Sequence, residues 1–136
     1  MAELAIVGFY LALNAFLFLL LSSKVIAIRR SEQISIGDGN NNTLAHRIRG
    51  QANASEYIPI FFLLLGVAAL LSAPAIALHL FAAVFTIGRI LHAYWFLKMP
   101  ESFKTRFYGM VLTLISMSLL AITLLGHCIV IMSGGY

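Results

Sequence analysis

Two ionisable side chains stand where the surrounding sequence is otherwise fit for hydrocarbon. Glu56 opens one long apolar run, and Arg89 lies deep inside another. A charge at membrane depth costs several kcal/mol unless a partner or a ligand compensates it. Spacing connects the two. Glu56 lies 16 residues before Ser72, and Arg89 lies 15 after Pro74. At about 1.5 Å per residue, both sit roughly 22–24 Å from the Ser72-Ala73-Pro74 turn, at matching depth on adjacent helices. A Glu56–Arg89 ion pair is therefore expected, because pairing is the least costly way to bury either group.

More polar groups share that level. Arg49, Asn53 and Glu56 are spaced by four and three, which at about 100° per residue places them within an arc of about 60° on one helix. Arg89 and His92 share a face of the next helix, and Phe96 continues it. Arg106 starts the last helix from the same side. Three arginines, a carboxylate, an amide and an imidazole form a positive cluster that suits an anionic guest. Plainer readings compete. Arg49 and Arg106 can snorkel to lipid headgroups, and Glu56–Arg89 can be a structural clamp. Asn14 reads as interhelical glue. His79, His127 and Cys128 read as packing residues. Tyr57, Tyr94, Trp95 and Tyr108 read as an interfacial aromatic belt.

The elements that must carry these residues follow from composition. Of 136 residues, 61% are hydrophobic and 10% are charged, whereas globular chains average about 45–50% and ~25%. That departure excludes an ordinary soluble enzyme and a disordered tail. The net charge is +4, but the basic residues flank apolar runs, so they point to anionic lipid and not to nucleic acid. Apolar runs cover residues 4–21, 57–71, 75–97 and 107–132. The backbone must bond to itself in lipid, so these runs are helices, and they lack the alternation of a membrane β-barrel. The expected fold is an all-α integral membrane protein, a four-helix transmembrane bundle in one domain over 1–136. Its spans are placed at about 3–23, 53–72, 75–97 and 106–132.

Connections set the orientation. Ser72-Ala73-Pro74 is a minimal hairpin, so spans two and three are antiparallel neighbours. Residues 22–56 form a long polar stretch, with turn-rich 36–43 inside it and Asn42 or Thr43 as the expected cap of the second helix. Pro100 should stop the third helix, and Ser102 should cap the fourth. Lys24, Arg29, Arg30, Arg47 and Arg49 fall in the first connection, and Lys98, Lys104 and Arg106 in the third. The second connection and both termini hold none, so loops one and three are expected on the cytoplasmic side. The N-terminus lacks a basic leader segment, so the first run is expected to be a retained span. No metal, phosphate-loop or Ser–His–Asp pattern is readable, and His92 has no second ligand at helical spacing.

The residues then resemble a known signature. RIRGQANASEYIP (47–59), leading into an apolar helix, is similar to the second-span motif of the MAPEG family, membrane-associated proteins in eicosanoid and glutathione metabolism; Arg49, Asn53, Glu56 and Pro59 match it. GRILHAYWF (88–96) resembles the family's third span, with Arg89 and His92 in register. Arg106 fits the arginine that opens the fourth span, and IGDG (36–39) resembles the first loop of bacterial members. The resemblance implies a homotrimer in the bacterial inner membrane, with glutathione as co-substrate at subunit interfaces near the cytoplasmic side. Arg49, Asn53, Glu56, Arg89 and His92 would contact or frame glutathione. Arg106 would be catalytic, stabilising a thiolate whose free pKa is about 8.5.

The implied activity is a glutathione transferase acting on lipophilic electrophiles that arrive from the bilayer, with peroxidase activity as a related outcome. Phe96 and Phe107 stand where some relatives carry tyrosine and serine. They favour the alternative, a non-catalytic lipid-binding or scaffold protein of the same fold. A four-span proton-coupled transporter is a third reading, disfavoured because Glu56 lies at the membrane boundary and not in mid-span.

Overall fold

The computed structural model describes residues 1–134. Four helices follow one another: α1 (Ala2–Ser31), α2 (Asn42–Leu70), α3 (Ala75–Lys98) and α4 (Lys104–Met132). All four are long and apolar enough to cross a membrane. At ~1.5 Å per residue, the 29 residues of α2 span about 43 Å, well beyond a hydrocarbon core of about 30 Å. The excess lies at the charged end. Most of the polar stretch 22–56 is therefore helix, and only 32–41 is non-helical. Residues 22–31 and 42–56 are too polar in sequence to look like span, but helical hydrogen bonding is as good in water as in lipid and continues through them.

The helix ends are local chemistry. Asn41, one residue earlier than expected, caps α2 by accepting from the Leu44 N–H at 2.9 Å. Three consecutive asparagines offer equivalent caps, and sequence alone does not choose among them. Phe103, not Ser102, holds the cap position of α4; the Ser102 hydroxyl accepts from Lys104 N at 3.4 Å. The α2–α3 hairpin is closed by a Schellman arrangement: Ala73 N donates to Ala68 O at 3.0 Å and Ser72 N to Ala69 O at 3.1 Å. Ser72 adopts the left-handed φ of 62° that this turn requires. Met99, also left-handed, ends α3 just before Pro100.

α3 is the central element. It packs most extensively on α4 and also touches α1 and α2, while α1 and α4 make no contact among the described residues. Phe61 and Phe85 stack at 3.8 Å in the α2–α3 core, with Phe62 edge-on to Phe85. Sparse hydrogen bonds tie the helices where burial alone gives no specificity in lipid. The Asn14 side-chain amide, fully buried, donates to Thr86 Oγ1 at 2.8 Å, the interhelical role expected of it. Gln51 Nε2 donates to Ser22 Oγ at 3.0 Å, and Ser116 Oγ to Phe81 O at 2.8 Å. His79 meets the Tyr10 hydroxyl at 3.3 Å, and His127 meets Leu71 O at 3.1 Å.

The α3–α4 crossing sets the position of the charged residues. A Cβ on Gly109 would lie 2.5 Å from His92 N and 2.7 Å from Gly88 O, and one on Gly88 would lie 2.9 Å from Gly109 O. The two backbones approach as closely as small residues allow. Arg106 lies one turn before Gly109, and His92 one turn after Gly88, so this crossing brings them to one level. Gly109→Ala must push α3 and α4 apart. It should lower the unfolding midpoint in detergent clearly, whereas Gly126→Ala, whose Cβ meets nothing within 4 Å, should be neutral or stabilising by up to about 1 kcal/mol.

Candidate functional site

A cleft of about 470 Å³ opens at the charged end, lined by Arg49, Asn53, Glu56 and Tyr57 of α2, His92 of α3, Phe103, and Arg106, Phe107 and Met110 of α4. Five of the six residues singled out from sequence line it. The sixth, Arg89, sits directly behind. Its Nη2 donates to Asn53 Oδ1 at 2.8 Å and lies 3.3 Å from His92 Nδ1. Its guanidinium carbon lies 5.7 Å from the Tyr57 ring centroid. A larger cavity of about 580 Å³ lies at the hairpin end, but its lining has no Asp, Glu, Lys or Arg. Of these two cavities, only the smaller one is lined by Asp, Glu, Lys or Arg.

The expected Glu56–Arg89 pair does not form. Glu56 is exposed at the mouth, and among the described residues no arginine is ion-paired to a carboxylate. The reason is rotational. Rise per residue fixes depth, but azimuth decides contact. Asn53 and Tyr57, four apart, form the stripe of α2 that faces Arg89; Glu56 is turned about 60° away from Asn53 and opens on the cleft.

Arg89 is 1% exposed, and its Nε and Nη1 are buried without a partner among the described residues. A guanidinium carries five N–H donors and no acceptor. Its contact with His92 therefore requires Nδ1 to accept, which leaves the ring proton on Nε2. Arg89 thus sets the tautomer of the one imidazole lining the cleft.

Arg106 is held differently. Its guanidinium carbon lies 5.1 Å from the ring centroids of both Trp95 and Phe96. Each such contact is worth about 0.5–1 kcal/mol where exposed and ~2 where desolvated. Aromatic faces hold the cation without neutralising it, as a carboxylate would. The first turn of α4 also has no acidic residue, so its positive helix end adds to the same potential. Trp95, expected in an interfacial belt, is instead buried and stacked on Phe103 at 5.0 Å. Tyr94 and Tyr108 are exposed.

Several residues with no site signal in the sequence shape the cleft. Arg47, one of the basic residues of the first connection, donates from Nη1 to Phe96 O at 2.7 Å. Gly50 lets α2 close on Phe96. Phe103, Phe107 and Met110 supply apolar walls. Gly88 and Gly109 mark a close crossing, but Gly8, Gly66 and Gly126 stand in equally apolar helix and meet nothing within 4 Å, so sequence alone does not tell the two kinds apart.

A model of the MAPEG family matches residues 7–126. The chain belongs to the MAPEG family. It is also similar to the inner membrane protein YecN of two Escherichia coli strains, K12 and O6:H1, at 33% identity over 87 residues. That match covers 64% of this chain and 66% of each relative, just under two thirds of their length. For this MAPEG member, the Arg89 contacts predict a clear asymmetry. Asn53→Ala removes the one amide partner of a buried cation and should cost about 1–3 kcal/mol. Glu56→Gln, at the exposed mouth, should stay within about 0.5 kcal/mol. Thermal unfolding of both variants in detergent checks this; a larger loss for Glu56→Gln would restore the clamp.

Proposed function

We propose that the chain is a membrane-bound glutathione transferase, working as a homotrimer, that conjugates glutathione thiolate to lipophilic electrophiles. The observation that carries this reading is the uncompensated positive charge of the cleft. Among the described residues, Arg106 faces it with no carboxylate partner, and Arg89 behind it retains two buried, unpartnered nitrogens. Glutathione has two carboxylates and one ammonium. Arginine forks suit the former, and Glu56 at the mouth suits the latter. Asn53 and His92 keep an amide N–H and an Nε2–H as donors for a peptide carbonyl or carboxylate at the inner wall.

In this reading Arg106 stabilises the thiolate. A nearby guanidinium lowers a thiol's pKa and raises the fraction of nucleophile at neutral pH. The thiolate attacks an electron-poor carbon, forming a C–S bond as the leaving group departs with its electron pair; with a hydroperoxide it attacks oxygen, the O–O bond breaks with the alkoxide leaving, and a second glutathione converts the resulting sulfenic acid to the disulfide and water, which is the peroxidase variant. Phe103, Phe107 and Met110 give the electrophile an apolar wall facing lipid. The inner-membrane name of the Escherichia coli relatives supports a bacterial inner membrane, with loops one and three cytoplasmic by their positive charge.

Protein purified in detergent should generate thiolate absorbance with millimolar glutathione and turn over a reactive aryl halide. Arg106→Ala should abolish both, while Arg49→Ala should weaken glutathione binding about tenfold, the loss of one charge-assisted hydrogen bond. Absence of glutathione binding by the wild type withdraws the reading. The second reading, a lipid-binding or scaffold protein, is favoured by Phe107, which is 63% exposed at the mouth. It predicts acyl-chain binding with no aryl-halide turnover.

A further inference from the structure

Arg106 is placed by two rings, so whatever fixes those rings fixes the cation. Trp95 and Phe96 belong to the last turn of α3. Phe96 O would ordinarily accept from the N–H four residues on, but that residue is Pro100, which has none. Arg47 Nη1 supplies the missing donor at 2.7 Å. Arg47 lies two residues before Arg49, about 200° around the helix. It therefore faces α3 and takes no part in lining the cleft. Gly50, one turn later, lets α2 press on the same residue: a Cβ there would lie 2.7 Å from Phe96 Cβ.

We propose that Arg47 is a positioning residue, which locks the last turn of α3 so that Trp95 and Phe96 hold the Arg106 guanidinium over the cleft. The contacts run from α2 through a carbonyl of α3 to a side chain of α4. A basic residue near a helix C-terminus also meets the negative end of the helix, so the donor is favoured as a cation. A single N–H is all that the carbonyl uses, and lysine can provide it. The consequence for thiol ionisation rests on the transferase reading; the positioning itself does not.

The test uses the chain's one tryptophan, Trp95, which lies under the Arg106 cation. In the full-length protein in detergent, Arg47→Ala should change Trp95 emission in the same direction as Arg106→Ala. Arg47→Lys should restore the wild-type spectrum, and Lys24→Ala should leave it unchanged. Arg47→Met, which keeps the apolar stem, replaces the alanine variant if that one fails to fold. In a second arm, the thiol of bound glutathione should ionise about half a pH unit higher in Arg47→Ala, a fraction of the 1–3 units that an adjacent cation can exert. Affinity for S-methylglutathione, which has no thiol to ionise, should stay within about twofold, because Arg49 and Arg89 are untouched. Emission that superimposes on wild type in Arg47→Ala, or is not restored by lysine, overturns the positioning. An unmoved thiol midpoint overturns its link to Arg106. If the wild type takes up no glutathione, the transferase reading falls, and the emission arm still decides the role of Arg47.

Discussion

The structure turns on a guanidinium buried in the middle of an apolar bundle. Arg89 cannot shed its charge, and taking it out of water costs several kcal/mol even after relaxation. Asn53, His92 and the Tyr57 ring compensate part of that cost. None of them carries a negative charge. The remainder stays as positive potential at the back wall of the cleft. An ion pair would have neutralised it, and the bundle would then hold an inert clamp where it now holds a site.

Two devices turn that potential into a defined geometry. The glycine crossing of α3 and α4 removes side chains between the backbones and so sets His92 and Arg106 at one height. The aromatic cradle then orients Arg106 without an opposing charge. Both rely on groups that pack tightly and contribute no charge of their own. The field in the cleft is therefore set almost entirely by three arginines and one glutamate, and the apolar parts determine where those charges stand.

Much of this was legible in the sequence for a physical reason. Helical rise is nearly constant, so counting from the Ser72–Pro74 turn placed Asn53, Glu56, Arg89 and His92 at one depth, and the structure gathers them there. Rotation about each helix axis is not legible, because it depends on packing between helices; depth alone pairs Arg89 with Glu56, whereas its partner is Asn53. The helical extent of 22–31 and 42–56 is hidden in the sequence because polarity marks the end of lipid and not the end of a helix. The role of Arg47 was hidden more deeply. It depends on a proline 53 residues away in sequence that removes a donor, and no local pattern records such an absence.

The overshoot of α2 has one more consequence. Arg49 lies 21 residues before the end of α2 at Leu70, or roughly 31 Å along the axis, about one hydrocarbon thickness. A cleft at that height lies at the boundary between two solvents, with Arg49 and Phe103 toward its outer end and Arg89 behind its innermost wall. For an apolar compound, the concentration that matters there is set by its partition coefficient and not by its bulk solubility. Compounds of equal intrinsic fit would then be ranked by their oil–water distribution before any contact with the protein is made.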